Sequence, residues 1–413
     1  MKAAYVSPLP PQQTGIADYS ALLLPALRRR LDVHIVSRRT RVIPRDADAI
    51  LYHIGNAAEA HGWILELLRR RPGVVVLHDF CLHHLVAELT LGNRDREGYA
   101  RALEHEAGLV GRLLAHGVAE GALPPLWETS PERFPLVGEV LSLAQGLIVH
   151  SAYVERRVRE RGYAGPVWRI PHPAWPDTAA EPAEVARERS FVVGCFGNLN
   201  ASKRVPQLLE AFVALRQRHP GTLLILAGAL GPGIELERRL PELGLQLGED
   251  VVYEGRVAED RLWSLLASCD VCVALRRPTR GETSGMAMRA LSVGKPLVVS
   301  ESGWFAELPA SVAAKVPVDG REAATLGAFL ALLADDGDLR ARMATSAAEY
   351  AQSVHGLERV ADLYAAALEE AAGGSALRDA VLGEVAVAAH GVGLGDEELA
   401  GIALRLRESG LGD

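Results

Sequence analysis

The sequence is poor in sulfur and in aromatic side chains. It has four cysteines and four methionines in 413 residues, and aromatics make up 5% of the chain. Four cysteines over that length exclude a disulfide-stapled scaffold, so the fold must rest on an apolar core. Cys269 and Cys272 form a CxxC without a second Cys/His pair at metal-ligand spacing, so Cys81, Cys195, Cys269 and Cys272 read as inert core thiols and no metal site is expected. No apolar run approaches the roughly 20 residues of a membrane-spanning helix, and the opening residues run into Pro8, Pro10 and Pro11 instead of a signal-peptide core. Neither half contains GxGxxG, and no GxxxxGK[ST] is present; a Rossmann dehydrogenase and a P-loop NTPase are both disfavoured. These absences point to a cytosolic protein of bacterial type.

What is present is hydrophobic alternation. Residues of AVILMFWYC make up 49% of the chain and charged residues 23%, a globular balance, and the length suits two domains. The net charge is −8. Residues 1–71 carry eleven Lys/Arg against six acids, or +5, which leaves −13 for the remainder. The arginines at 28–30 and 69–71 close predicted helices, where cations favour the negative end of the dipole. The sharper alternative is a basic face for anionic lipid, with peripheral contact at the inner surface of a membrane. No feature suggests nucleic acid as a partner.

Short apolar segments alternate with helical ones, which predicts an α/β fold of parallel sheets covered on both faces. Strands are predicted over 3–6, 33–36, 49–52, 74–77, 147–150 and 167–170, with helices over 17–30, 59–71 and 97–116. Prolines at 171, 173, 176 and 182 then interrupt the pattern. It restarts with strands over 191–196, 223–227, 251–254, 271–275, 296–300 and 313–316 and helices over 203–218, 259–268 and 284–293. The expected organisation is a first Rossmann-like domain over 1–172, a linker over 173–190 and a second Rossmann-like domain over 191–350. A helix over 351–372 should cross back to the first domain, and 373–413 should form a helical tail with Asp396 as an N-cap. Two doubly wound domains facing each other across a cleft would bind ligand between them.

Four stretches carry candidate chemistry. SPLPPQQTGIADYS places Gly15 between a strand and a helix, where backbone can approach an anion; an ordinary turn glycine is the plain alternative. VVVLHDFCLHH puts His78 and Asp79 at the carboxyl end of a strand, where a histidine beside a carboxylate can position a hydroxyl, with His83 one turn on. FGNLNASKR leads from a strand at Gly197 to Lys203 and Arg204 at a predicted helix start, a cradle for diphosphate. GETSGMAMRALSVGKP carries Glu282, then Thr283, Ser284 and Gly285 at a second helix start, suited to phosphate or to sugar hydroxyls.

In order and spacing these stretches resemble the large retaining GT-B glycosyltransferase family commonly numbered four, the glycosyl transferases group 1, in a bacterial branch. The similarity covers about residues 1–370. GNLNASKRVPQLLEAF, VVYEGRV, SLLASCDVCVAL and GETSGMAMRALSVGKPLVV match best, with PLPPQQTGIADYS and HDFCLHH beside them. The resemblance implies retaining, metal-independent transfer of a hexosyl group from a UDP- or GDP-type sugar nucleotide to a hydroxyl acceptor. That acceptor would be a glycan or a lipid-linked sugar, as in polysaccharide biosynthesis, and no cofactor is implied. It assigns Lys203 to the donor diphosphate, Glu282 to the transferred sugar and His78 to the first-domain position beside that sugar. Gly255, Arg256 and Val257 resemble the turn at the nucleobase, and Gly15, Gly197, Asn198, Arg204, Thr283, Ser284, Gly285 and Arg289 fall along the donor. Asp18, Tyr19, Asp79 and His83 lie on the acceptor side.

Two positions depart from the pattern. Asn198 stands where arginine is usual, for which Arg204 could supply charge, and Arg289 stands where a ribose-binding glutamate is usual. Two other functions therefore stay open: a glycosyltransferase-like subunit that binds a nucleotide or glycan without catalysis, and a sugar-nucleotide epimerase of the same fold.

Overall fold

Apolar runs of four to six residues can be buried on both faces only in a parallel sheet flanked by helices. The computed structural model, which describes residues 1–176, 178–392, 398–402 and 405, contains two such sheets. The chain forms two compact units, Met1–Ile170 together with the chain from Val360 onward, and Pro171–Arg359.

Unit 1 holds β1 (Lys2–Val6), β2 (Asp32–Val36), β3 (Ala49–Ile54), β4 (Val74–Leu77), β5 (Gly146–Val149) and β6 (Val167–Arg169) in the order β2-β1-β3-β4-β5-β6. Every pairing is parallel; Tyr5, for instance, pairs with Ile35 on one side and Leu51 on the other. Unit 2 holds β7 (Phe191–Phe196), β8 (Thr222–Ala227), β9 (Val251–Tyr253), β10 (Val271–Ala274), β11 (Leu297–Ser300) and β12 (Ala313–Val316) in the order β12-β11-β10-β7-β8-β9. That is the doubly wound order 3-2-1-4-5-6, so the chain reverses direction across the sheet between β7 and β10. In unit 1 the reversal lies between β1 and β3. Ligands of open α/β sheets bind outside the strand carboxyl ends at such points.

The predicted strands all occur, with ends shifted by no more than two residues. The helices differ more. The predicted 97–116 helix is Arg96–Ala119, broken at Ala107 and at Gly108, which takes φ +61°. The helix expected to open at Lys203 begins at Val205 instead. A 3₁₀ turn over Ala201–Lys203 and a left-handed Arg204 (φ 57°) precede it, and Pro206 fits the first turn because it needs no amide hydrogen there.

The proline-rich stretch expected to be a linker is laid along unit 2. His355 donates from Nδ1 to the His172 carbonyl (2.7 Å), Ala174 N donates to the His355 carbonyl (2.7 Å), and Trp175 N donates to Ser292 Oγ (3.1 Å). The chain then returns to unit 1 through the Leu357–Gly373 helix, which buries Val360, Ala361, Tyr364 and Leu368. Tyr364 and Tyr19 share a hydroxyl hydrogen bond of 2.7 Å, and Arg30 pairs with Asp362 at 2.5 Å. A helix over Ser375–Gly391 follows, and Asp396 lies outside the described residues.

Three loops of unit 2 meet through glycines. Gly197, Gly228 and Gly255 follow β7, β8 and β9 with φ of +89°, +141° and +61°. Gly228 N donates to the Gly255 carbonyl at 2.5 Å, and a Cβ on Gly228 would lie 2.1 Å from the Gly197 carbonyl oxygen. Only glycine allows that approach. Gly228→Ala is expected to cost about 3 kcal/mol or more and to lower the melting midpoint of the chain by several degrees. An unchanged midpoint would show that the loops do not need this contact.

Burial also sets a pH limit. His61 and His83 in unit 1 and His355 in unit 2 are buried, and burial pushes each imidazole down to about 4. The unfolded chain, with ordinary values near 6.5, binds those protons first. The stability they contribute is therefore complete above about 6.5 and lost as pH falls toward about 4. Urea unfolding followed at stepped pH across that window should show a steady fall in midpoint; a flat profile contradicts the burial.

Candidate functional site

At the reversal point of unit 2, the loops after β7 and β10 bring three charged side chains together. Lys203 is 7% exposed, and its ammonium donates to the Phe196 carbonyl at the end of β7. Burial, aided by the nearby Arg276 charge and opposed by Cys195 and Glu282, lowers its pKa to about 8. Arg276 follows β10 and donates to Ser202 Oγ at 2.7 Å, while its Nε lies 2.7 Å from Glu282 Oε1. Glu282 also accepts from Arg280 N at 2.7 Å and from Thr279 Oγ1 at 3.3 Å. The carboxylate is thus held from three directions, with a buried ammonium and a guanidinium beside it.

The Gly285–Ser292 helix starts at the same strand end. Ser284 caps it by accepting from Ala287 N at 3.2 Å. Thr283 does not cap, and its buried hydroxyl has no partner among the described residues. A buried hydroxyl lacking a partner at a helix start is a place for a ligand oxygen. Gly197 lies against this group: a Cβ there would come 3.1 Å from both Lys203 Nζ and Met286 Cγ. Asn198 is exposed at the same turn, and Gly255, Arg256 and Val257 follow β9, with Arg256 exposed.

Two residues expected at the donor are already engaged by other side chains. Arg204, turned by its left-handed backbone, pairs with the buried carboxylate of Glu322 at 2.7 Å and 2.8 Å. A guanidinium so engaged does not supply charge at Asn198; Arg276 is the second cation beside Lys203. Arg289 is 5% exposed, with its guanidinium stacked 4.0 Å from the Trp175 ring and 5.9 Å from Trp263, and Glu259 at 3.9 Å. Its face is covered by indole, and it anchors the Trp175 segment to the helix.

In unit 1 the loop after β1 leads to the Gly15–Leu27 helix, whose first turn is capped by Thr14 Oγ1 on Ala17 N (3.0 Å). Gly15 is exposed with open space above it, and Asp18 is exposed on the first turn. Asp79 accepts from Asn56 N at 2.9 Å, next to the end of β3. Tyr19 and His83 are core residues and not surface contacts. Tyr19 is 1% exposed; His83 is fully buried, with Nδ1 on the Phe134 carbonyl (2.7 Å) and Nε2 on Tyr99 (2.8 Å). His78 sits at the edge of the core, its Nε2 2.9 Å from Nδ1 of His53, a residue the motifs did not single out.

With this geometry in hand, the chain can be set beside known proteins. The family described as glycosyl transferases group 1 matches residues 177–350. D-inositol 3-phosphate glycosyltransferase of Salinispora arenicola is 27% identical over 305 residues, which cover 70% of this chain and 62% of that protein. The chain therefore spans about three fifths of that relative's length. Among solved structures, sucrose-phosphate synthase of Thermosynechococcus elongatus superposes with a TM-score of 0.61 at 16% identity, over 90% of this chain and 98% of that one. Anabaena HepE in complex with UDP-glucose gives a TM-score of 0.60 at 16% identity, over 90% of this chain and 100% of that one. Residues 177–350 of unit 2 thus match the glycosyl transferases group 1 family, and the chain has the two-domain α/β fold of the GT-B glycosyltransferases.

Proposed function

We propose that the protein transfers a sugar from a nucleoside-diphosphate sugar to a hydroxyl acceptor with retention of configuration. The observation that carries this reading is the buried Lys203 ammonium at the β7/β10 reversal point, next to Arg276 and the start of the Gly285–Ser292 helix. Two cations and a helix N-terminus form a preorganised receptor for a departing diphosphate, so charge developing on the leaving group is met without solvent reorganisation. These groups can neutralise the diphosphate themselves, so we propose metal-independent transfer. The relative that carries UDP-glucose supports a uridine donor, with GDP-sugars as the second candidate.

Glu282 does not suit the role of nucleophile. It is ion-paired to Arg276 and accepts from Arg280 N, so its oxygens are already committed as acceptors, which suits it to accept from sugar hydroxyls as well. Attack from the same face, assisted by the departing phosphate, is therefore the mechanism we propose in place of a covalent glycosyl-enzyme. Asp18 and Asp79, at the strand carboxyl ends of unit 1, are the proposed acceptor contacts.

A second reading, a nucleotide-binding subunit without turnover, draws on Arg289: stacked under Trp175, it offers a ribose no acceptor oxygen. Release of nucleoside diphosphate from a donor panel, with and without acceptor alcohols, separates the two. Lys203→Met keeps the side-chain volume and removes the charge; it is expected to reduce release by roughly 100-fold or more with the circular dichroism unchanged. Undiminished release would remove Lys203 from the site, and tight nucleotide binding without any release would select the subunit reading.

A further inference from the structure

The carboxyl end of the unit 1 sheet holds a cluster of imidazoles and phenols far from water. His53, on β3, is fully buried, and His78, after β4, is 9% exposed. Their rings stack at 5.2 Å between centroids, and His53 Nδ1 lies 2.9 Å from His78 Nε2. The titratable groups facing the pair come from five elements. Tyr5 of β1 lies 4.5 Å from the His53 ring, Tyr19 meets His78 edge-on at 4.8 Å, and His150 after β5 lies 5.2 Å from His78. His61 donates from Nδ1 to the His53 carbonyl at 3.1 Å, and Asp79 is next in chain to His78. The phenols of Tyr5 and Tyr19 are held neutral by burial.

One hydrogen lies between the two imidazoles, and the surroundings decide whose it is. Burial keeps His53 uncharged, with the neighbouring imidazoles His150 and His61 opposing its protonation as well, so it carries a single N–H. Its Nε2 is buried with no partner among the described residues. A hydrogen there would be a buried donor with no acceptor, rarer and costlier in proteins than an uncommitted acceptor nitrogen. The hydrogen therefore belongs on His53 Nδ1 and points at His78 Nε2. His78, accepting at Nε2, must carry its own hydrogen on Nδ1.

We propose that His53 is a positioning residue that locks His78 in its Nδ1–H tautomer and opposes protonation of His78 at Nε2. His78 then reaches the site as a neutral imidazole that donates from Nδ1, at acid as well as neutral pH. The participation of His78 in turnover rests on the function proposed above; the tautomer itself does not.

Long-range proton–nitrogen NMR on the full chain reads the tautomer directly. In the wild type, His78 should show a protonated Nδ1 and an unprotonated Nε2, unchanged as pH falls from about 7 to about 5. His53→Asn places an amide N–H where the His53 Nδ1–H was and should preserve that pattern. His53→Phe removes the donor, and His78 should then become a tautomer mixture whose Nε2 takes up a proton more readily than in the wild type. In turnover assays His53→Phe should lower kcat at least tenfold at about pH 6 and less at about pH 8, with KM little changed, and His53→Asn should recover most of the loss. A wild-type His78 protonated at Nε2, or an identical titration in wild type and His53→Phe, overturns the proposal whether or not donor turnover is found. If His53→Phe does not fold, the wild-type spectrum and His53→Asn still decide it.

Discussion

A lysine ammonium taken out of water at the end of β7 is the constraint around which unit 2 is organised. Desolvation alone makes a buried cation unfavourable, and its pKa falls to about 8 in consequence. It persists because the Phe196 carbonyl accepts from it and because Glu282, tied to Arg276, balances part of the local charge. The arrangement is incomplete as it stands: two cations face one carboxylate, and a helix start adds further positive potential. That excess of positive charge is what the proposed diphosphate would balance.

Sheet order makes that arrangement possible. Lys203 follows β7 and Arg276 follows β10, strands far apart in sequence but adjacent in the sheet. The three glycines Gly197, Gly228 and Gly255 let the loops after β7, β8 and β9 pack backbone to backbone at that end of the sheet. Unit 1 uses burial in a different way. Burial there keeps His53 uncharged beside the neutral phenols of Tyr5 and Tyr19.

Much of this was legible in the sequence. Parallel strands buried on both faces are apolar without interruption, so runs such as VVVL and FVVGCF mark themselves, and the twelve strands fall where their composition puts them. Lys203 and Glu282 stand beside glycine-punctuated loop-to-helix transitions, which local pattern can detect. Arg276 and His53 could not be found that way, because their significance comes from which strand lies next to which. Arg204, His83 and Arg289 present the converse case. Each sits in a motif, but a left-handed backbone and a glutamate 118 residues away claim the first. A carbonyl and a tyrosine hydroxyl satisfy the second, and two indoles cover the third. Sequence spacing places a residue at a loop; it does not say which way the side chain turns.

The central claim is that the Lys203 ammonium itself receives the diphosphate. Its depressed pKa gives that claim a signature, since the free protein loses the charge above about 8. Calorimetric titration of the best-binding nucleoside diphosphate at steps between about pH 7 and pH 9 measures it. Affinity should hold up to about 8 and then fall by up to about tenfold per pH unit, with the dependence absent in Lys203→Met. Affinity that stays constant through that range in the wild type would contradict the account.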